Sequence, residues 1–447
     1  MAAGDILDKI ITHLPEIEGP KGKLGFKQKI TWTLSILVMY LFLGLIPLFG
    51  LGSNALAQFE FLSTVLGASF GSLISLGIGP IVTASIVLQL LNGAGIIRFD
   101  LTSHEGKRRY QGVQKLLAIA FVVLEGWVYV RLGGLSPAAG IAPWILVLQI
   151  FVGGILVMFM DEVVSKWGFG SGISLFIAAG VSQGVFIQLF SPFKSGLAAD
   201  GAQYSAGRVW QLFQSVAAGD MTTAAIAGLT VAFTIVVFIV AVYTQAMKVE
   251  IPLSFARVRG HGIRWPLAFF YTSNIPVILT AALLANVQII ARLVGANWTT
   301  TLVGWVTPHN LVQLGVSGSL TGLVIAQSII YMLIFIVFSV VFALFWVQTA
   351  GLDARSQANQ IMRSGLQIPG FRKDTRVLER MLERYIWPLT VLGALAVGIL
   401  ASFADLTGAL GSGTGILLTV MIVYRLYMDI AQQHMMDVPG MRSLMGG

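Results

Sequence analysis

The sequence predicts an all-α polytopic membrane protein with ten transmembrane helices, and three observations lead to this fold class. Of the 447 residues, 56% are hydrophobic and only 11% are charged, whereas soluble domains carry roughly 25% charged residues. Apolar runs without Asp, Glu, Lys or Arg recur along the chain, and about 20 such residues cross a bilayer as a helix. Most charged residues lie between these runs. This composition excludes a water-soluble enzyme, a disordered chain and a coiled coil.

The N-terminal segment, residues 1–29, is expected to lie in the cytoplasm. It mixes acidic residues with five lysines, which is not the pattern of a cleaved signal peptide. Apolar residues at helical spacing predict a short amphipathic helix on the membrane surface; they are Ile6, Leu7, Ile10, Ile11 and Leu14. Packing of this helix against the protein's own loops is an equally good interpretation.

The charge-free runs place ten spans in two groups of five. Their bounds are 30–48, 76–91, 113–130, 142–160, 173–190, 224–246, 267–293, 320–346, 385–403 and 410–428. The stretch before the second span is too rich in Gly for a regular helix, so we predict a half-helix at about 58–70. We therefore divide the chain into an N-terminal half at 30–195, an external loop at 196–223 and a C-terminal half at 224–447.

The positions of the basic residues predict the topology, because Lys and Arg accumulate in cytoplasmic loops. With both termini in the cytoplasm, only four of the 28 basic residues fall on the other side; these are Arg131, Lys194, Arg208 and Arg292. Two long basic cytoplasmic loops follow spans 6 and 8, at 247–266 and 350–384. Such loops are often only solvated and anchored by lipid headgroups, and the alternative is a docking surface for an anionic partner.

The chain shows no constellation typical of an enzyme, so we predict no catalytic residue, no metal and no cofactor. It has no Cys, and its five His form no metal-ligand spacing. Glu125 is the one acidic residue clearly inside a predicted span, and we interpret it as a charge paired locally with Arg131. Glycine-rich pieces at 168–172 and 411–415 adjoin spans, so we interpret them as helix breaks or close packing, not phosphate loops.

Several motifs in order along the chain resemble the SecY family of protein-conducting channels, and more closely its archaeal and eukaryotic-type branch. The residues that carry the resemblance are 76–84, 161–166, 170–177, 249–253, 273–279, 370–373 and 413–418. The resemblance implies two pseudo-symmetric five-helix halves, arranged as a clamshell around an hourglass pore. It also implies a multi-pass protein of the plasma membrane with no enzymatic activity.

The resemblance assigns roles to particular residues. A ring of aliphatic side chains would narrow the pore: Ile78, Val82, Ile173, Ile177, Ile278 and Leu418. The half-helix would be a plug that closes the resting pore, with Phe59, Phe61, Leu62, Val65 and Leu66. A lateral gate between spans 2 and 7 would carry Thr83, Gln89, Asn274 and Asn286. Without the resemblance, ordinary helix packing would explain each ring residue.

The implied function is passive transport of unfolded secretory polypeptides across the membrane, with lateral release of hydrophobic segments into lipid. The implied partners are a SecE-type clamp subunit, a small Sec beta-type subunit, the ribosome, signal-bearing polypeptides and membrane lipids. Ribosome binding would fall on Arg257, Arg259, Arg372 and Lys373. The alternative is a secondary transporter of a small solute, because broken helices and equal halves also mark those folds. The nearly neutral midplane of this chain argues against ion coupling.

Overall fold

The computed structural model is predominantly helical. It describes residues 12–22, 24–56, 66–93, 96–97, 99, 103–194, 204–255, 262–272, 275–295, 297–363, 366–367 and 375–437. The helices of the first half are α1 (Phe26–Leu43), α2 (Gly79–Gly93), α3 (His104–Arg131), α4 (Pro143–Trp167), α5 (Gly172–Phe190) and α6 (Arg208–Ala218). Those that follow are α7 (Met221–Ala246), α8 (Ile275–Val294), α9 (Asn297–Val306), α10 (Leu311–Val316), α11 (Gly322–Thr349), α12 (Ala354–Arg363), α13 (Thr375–Leu406) and α14 (Gly413–Asp437).

A helix stands at each of the ten predicted spans, namely α1 to α5, α7, α8, α11, α13 and α14. Eight of these are long and apolar enough to cross a membrane. Of the other two, α2 has only 15 residues, and Lys27 and Lys29 lie in the first turn of α1. The all-α membrane fold is therefore confirmed, and the count of ten spans stays a prediction. Of the residues predicted to form the N-terminal amphipathic helix, only Leu14 is among the described ones.

Several boundaries differ from the prediction, and three of them have a clear cause. The helix of the seventh span begins at Ile275 and not at 267, because Gly262–Ala268 forms a strand. The helix of the ninth begins at Thr375, ten residues before the predicted 385, because its first turns bury Leu378 and Leu382 against the strands after α7 and against α12. Residues 66–70 form turns, and Gly67 has φ +52°, so the half-helix predicted at 58–70 was at least five residues too long.

One large apolar core joins the two halves of the chain. It contains buried side chains of α1 to α5 from the first half and of α7, α8, α11, α13 and α14 from the second. Many side chains on the outer surfaces of the same helices are apolar and exposed, for example Phe238 and Leu333. A bundle with both an apolar interior and an apolar outer surface is stable in lipid.

The two predicted basic loops belong to one small sheet. Strands β3 (Lys248–Phe255) and β4 (Gly262–Ala268) form an antiparallel hairpin after α7. The two-residue strand β5 (Leu366–Gln367) pairs with the end of β3, opposite Ser254 and Phe255. A separate two-stranded sheet, β1 (Leu51–Asn54) with β2 (Leu135–Pro137), joins the loops after α1 and α3.

The hairpin has a hydrophobic core of its own. Ile251 and Leu267 of the hairpin pack with Val347 of α11 and with apolar residues of α12 and the start of α13. The Tyr271 hydroxyl, which follows the hairpin, donates a 2.7 Å hydrogen bond to the carbonyl oxygen of Leu352. Burial raises the pKa of Tyr271 above its ordinary value. The hairpin is therefore held firmly on the ends of three helices.

The N-terminal segment lies across the start of α3 and the end of α4 and is held there by hydrogen bonds and ion pairs. The amide of Ile17 donates to Glu162 of α4 at 3.0 Å, and Glu162 also pairs with Lys115 of α3. Glu16 pairs with Lys166 at 2.5 Å, and this hydrogen bond lowers the pKa of Glu16 below its ordinary value. We call residues 15–18 the N-terminal strap, and the face of the bundle that carries it and the β3–β4 hairpin the basic face.

Candidate functional site

The six predicted ring residues come from the beginnings of four helices. Ile78 immediately precedes α2, and each of the other five lies within the first six residues of α2, α5, α8 or α14. Five of the six side chains are buried, Ile173 is partly buried, and all six belong to or pack against the large core. The structure therefore places these six aliphatic residues, 340 positions apart at the extremes, in or against one apolar core, and we call the six the aliphatic cluster.

A cavity of about 600 Å³ opens on the basic face and reaches three of these residues, Val82, Ile173 and Ile278. Its outer lining is polar and charged and includes Lys107, Gln111, Gln114, Arg425 and Asp429. Its walls combine the beginnings of α3, α5 and α8 with the ends of α11 and α14. The cavity thus lies between the two halves and combines polar and charged side chains with apolar ones, and we call it the funnel.

Residues 66–78 lie against the other side of the cluster. The amide of Ile78 donates a 2.9 Å hydrogen bond to the carbonyl oxygen of Leu66, which is 1% exposed. The hydroxyl of Tyr40 donates to the carbonyl oxygen of Gly67, and the Tyr40 ring stacks on Phe176 of α5 at 4.3 Å between centroids. Of the predicted plug residues, Leu66 is described, and Phe59, Phe61, Leu62 and Val65 lie outside the described residues.

Gly77 makes the close approach of these two segments possible. Its φ is +54°, in the left-handed region that favours glycine. A Cβ at this position would lie 2.4 Å from the carbonyl oxygen of Leu66 and 2.5 Å from that of Gly67. Any other residue would push the 66–67 backbone away from the ring.

A polar contact crosses the interface between α2 and α8. The Asn286 side-chain amide donates a 2.9 Å hydrogen bond to the Thr83 hydroxyl oxygen. Gln89, also on α2, is buried and lines the funnel, and Asn274 lies outside the described residues. The structure thus brings together Thr83 and Asn286 of the four predicted gate residues.

Glu125 of α3 belongs to the same contact, and the interpretation of local pairing with Arg131 was wrong. The Thr83 hydroxyl lies 2.9 Å from Oε1 of Glu125 as well as from the carbonyl oxygen of Gly79. Glu125 is 8% exposed, and its Oε2 has no hydrogen-bond partner among the described residues. Its position inside a span was the signal that could have placed it at an interhelical contact.

Two aspartates, Asp161 partly buried and Asp405 buried, hold the beginnings of α5 and α14, and sequence analysis missed their role. Oδ1 of Asp161, near the end of α4, accepts the amide of Ile173 at 2.9 Å. Oδ1 of Asp405, near the end of α13, accepts the amide of Thr414 at 2.8 Å. The interpretation of the two glycine-rich pieces as helix breaks with close packing is confirmed, because α5 begins at Gly172 and α14 at Gly413.

The predicted docking residues adjoin the small sheet of the basic face. Arg257 and Arg259 follow β3, and Arg372 and Lys373 follow β5; all four lie outside the described residues. The pairing of β3 with β5 anchors the two basic loops side by side.

An apolar groove of about 660 Å³ runs along the outside of the bundle, away from the α2–α8 contact. It is lined by α5, α7 and α14, with Phe186, Phe238 and Tyr427 among its exposed aromatic residues. Among the described residues, no group of three His, Cys, Asp or Glu is placed to hold a metal ion.

Comparisons with known proteins match nearly the whole chain. A family model described as SecY matches residues 72–427, and one described as the plug domain of Sec61p matches residues 38–71. The protein translocase subunit SecY of Methanothermobacter thermautotrophicus is 44% identical over 98% of both chains. That of Pyrococcus horikoshii is 40% identical over 100% of both.

Solved structures also match nearly the whole chain. A structure described as that of a protein conducting channel has a TM-score of 0.82 and 38% identity over 98% of both chains. Sec61 in the canine ribosome-channel complex from the endoplasmic reticulum has a TM-score of 0.80 and 36% identity, again over 98% of both chains.

Proposed function

The chain belongs to the SecY family and is the channel subunit of a protein translocase, not an enzyme, and from this premise we propose that its aliphatic cluster is the seal of the channel. The observation that carries the proposal is that six aliphatic residues at the beginnings of four helices lie in or against one apolar core, and three of them, Val82, Ile173 and Ile278, line the funnel. Ile, Val and Leu offer no hydrogen bond to water or ions, so a narrow ring of them excludes both. Such side chains can also part around a polypeptide of any sequence.

The segment that ends at Leu66 is the plug in this proposal. At its described end, the carbonyl oxygen of Leu66 accepts a hydrogen bond from the amide of Ile78, the residue before α2. A family model of the Sec61p plug domain matches residues 38–71, which include this end. Displacement of the plug would break the Leu66–Ile78 hydrogen bond and uncover the part of the ring that residues 66–78 contact.

The contact between α2 and α8 is the lateral gate. Thr83, Glu125 and Asn286 supply its polar part, with Gln89 facing the funnel beside it. Interhelical hydrogen bonds in membranes contribute about 0.6 kcal/mol on average, so the closed gate is weakly held. A hydrophobic segment that gains roughly 0.3 to 0.6 kcal/mol per Leu or Ile in lipid can compete with it.

The basic face is the docking face for the ribosome, and it lies in the cytoplasm of a cell whose plasma membrane contains this protein. The multi-pass membrane character follows from the family and from eight apolar helices. The similar Sec61 structure is that of a ribosome-channel complex. Support from this chain comes from the sheet that joins both basic loops and from the separate core under it.

The apolar groove on α5, α7 and α14 is the seat of a SecE-type clamp helix, and a small Sec beta-type subunit binds elsewhere on the bundle. The groove bridges the two halves on the side away from the gate, so a helix seated there would hold both halves while the gate opens. The comparisons give no support to a small-solute transporter.

Site-specific crosslinking tests the seal. Because the chain has no Cys, a single Cys at Ile78, Ile177 or Ile278 is the only thiol of this subunit. We expect each to form a disulfide with a Cys in a stalled secretory chain. A Cys at Ile239, which is exposed on the outside of α7, is the control and should not react. Equal reaction at Ile239, or none at the three ring positions, would contradict the proposal.

A further inference from the structure

Two segments at equivalent places in the two halves share the sequence Gly-Ser-Gly before a helix start. Their serines differ in backbone conformation, with φ −107° at Ser171 and +67° at Ser412. Gly170-Ser171-Gly172 precedes Ile173 in the first half, and Gly411-Ser412-Gly413 precedes Thr414 in the second. The first glycine of each has positive φ, +73° at Gly170 and +61° at Gly411. The third glycine begins the fifth predicted span of its half, α5 or α14.

The third glycine also lies against the helix before it. A Cβ at Gly172 would lie 2.6 Å from Cα of Asp161, and one at Gly413 would lie 2.0 Å from the carbonyl carbon of Ala404, next to Asp405. This close approach brings the amide after each Gly-Ser-Gly into reach of an aspartate. Oδ1 of Asp161 accepts the amide of Ile173 at 2.9 Å, and Oδ1 of Asp405 accepts that of Thr414 at 2.8 Å.

Asp405 is itself held by further bonds. Its Oδ2 accepts the Tyr331 hydroxyl at 2.8 Å and also the Thr414 hydroxyl, and its side chain is 7% exposed. A carboxylate buried in a helix bundle is costly unless it is hydrogen-bonded. The number of bonds fixes the position of this carboxylate, and with it the first turn of α14.

Each cap lies beside ring residues. Ile173, whose amide Asp161 binds, is itself in the ring, and Ile177 is one turn further along α5. Leu418 is one turn after Thr414 on α14. A residue in the first turns of a helix moves with the helix start, so release of the cap would let these three side chains shift.

We propose that Asp161 and Asp405 are a matched pair of positioning residues that hold α5 and α14 in register at the ring and so keep the resting channel tight. This inference rests on the proposed function, because it takes the six aliphatic residues to be the seal. The pair fixes one helix start in each half, so the two sides of the ring are held by the same device.

The test measures ion conductance of the assembled translocase in planar bilayers. We expect Asp161→Ala and Asp405→Ala each to raise resting conductance roughly fivefold, which corresponds to about 1 kcal/mol, the typical value of an N-cap. Both variants should also accept substrates with weakened signals. Asp161→Asn and Asp405→Asn keep an acceptor oxygen and should restore most of the seal.

Asp220→Ala is the matched control. Oδ1 of Asp220 accepts the amide of Thr223 at 3.1 Å at the start of α7, a helix without a ring residue. We expect this variant to lose stability by a similar amount without any added conductance. Equal leakage from Asp220→Ala, or wild-type sealing by both ring-helix Ala variants, would overturn the inference.

Two further variants complete the design. If an Ala variant does not assemble, Tyr331→Phe is tested in its place, because it weakens the hold on Asp405 and keeps the carboxylate. A leak from Tyr331→Phe supports the inference, and wild-type sealing overturns it. Ile278→Ser tests the ring directly. A leak from Ile278→Ser with none from the aspartate variants would refute the positioning role alone, whereas no leak from any of them would refute the proposed seal.

Discussion

Gly77 is the residue through which the plug segment and the ring come closest. It combines a positive φ with carbonyl oxygens that leave no room for a Cβ. For an L-residue the left-handed conformation costs roughly 1–2 kcal/mol, and the Leu66 carbonyl would also have to move. We expect Gly77→Ala to lower the unfolding temperature and to raise resting conductance.

Gly180→Ala is the control for this substitution. Gly180 lies in α5, and a Cβ there would meet no atom within 4 Å. Because Ala favours a helix over Gly by about 1 kcal/mol, this variant should be as stable as the wild type or more so. A Gly77→Ala protein with unchanged melting and conductance would show that the 66–77 contact is not required for sealing.

In the proposed lateral gate, Asn286 would set how easily the α2–α8 contact opens. Its hydrogen bond to Thr83 is worth about 0.6 kcal/mol, whereas exposing a buried Leu to the water-filled pore costs about 1.5–3 kcal/mol. Asn286→Leu should therefore favour the closed gate, and only more hydrophobic signals should open it.

The measurement for Asn286→Leu is translocation efficiency across a series of signals of increasing hydrophobicity. Asn286→Ser, which keeps a polar group at the contact, should leave the threshold near that of the wild type. If Asn286→Leu and the wild type require the same signal hydrophobicity, Asn286 is not part of the gate.

Single residues could be predicted where the family resemblance fixed their surroundings, and not where closeness in sequence was the only guide to a partner. Thr83 and Asn286, 203 positions apart, were both predicted at one contact and are hydrogen-bonded. Glu125 was paired with Arg131 because the two are close in sequence. Its real partner, Thr83, is 42 positions away on α2, and no periodicity within α3 points to it.

At the scale of elements, the N-terminal strap shows how a segment outside the membrane is held by exposed charges. The side chain of Glu16 is 71% exposed and that of Lys166 is 28% exposed, so their pair contributes at most about 1 kcal/mol. The pKa of Glu16 is lowered in the folded protein. The contribution is therefore present above the ordinary value of 4.5 and is lost as the pH falls through the lowered pKa.

We expect Glu16→Gln to raise hydrogen exchange of the strap at pH 7 by up to about fivefold, the equivalent of 1 kcal/mol. The wild type should show the same rise, after correction for intrinsic exchange, only below pH 4.5. Glu105→Gln breaks another exposed pair, with Arg109 on α3, and should not affect the strap. A strap that exchanges equally in all three proteins at pH 7 would mean that its other contacts hold it without the Glu16–Lys166 pair. These include the hydrogen bond from the Ile17 amide to Glu162 and one from the Trp167 indole to the carbonyl oxygen of Glu18.

Helices were predictable as elements because hydropathy over about 20 residues determines them, and strands were not. Residues 248–255 carry charge and a proline, so they were interpreted only as a basic loop. Their pairing with Leu366 and Gln367 joins positions more than 100 residues apart. Local sequence holds no sign of such a pairing, and this sheet is what unites the two basic loops.

At the scale of the whole molecule, the proposed docking of the basic face on the ribosome rests on the distribution of basic residues. Reversal of Arg259 and Arg372 to Glu should weaken ribosome affinity and flatten its dependence on salt, because each phosphate that is no longer neutralised reduces the slope by about 1. Lys194→Glu reverses a charge on the other face and should change neither quantity. Salt titrations of ribosome binding to the reconstituted protein measure both.

The result that would contradict this docking role is an affinity and a salt slope that are the same for the double reversal and the wild type.

The fold class, the two halves and the order of the spans followed from the sequence and its family resemblance. The positions of the starts of α5 and α14 could not be predicted from the sequence. Asp161 and Asp405 hold these starts through backbone amides, which leave no pattern in the sequence.

The beginnings of four helices at the ring have an electrical consequence. Each helix start carries the equivalent of roughly half a positive charge on its free amides, and α2, α5, α8 and α14 all begin beside the same six side chains. Asp161 and Asp405 lie at two of the four starts, and when ionised their two negative charges balance the roughly two positive charges of the four starts together. A stray proton or sodium ion would therefore meet a barrier that is dry and carries little net charge, so a membrane that stores energy as a cation gradient would lose little of it through the proposed seal.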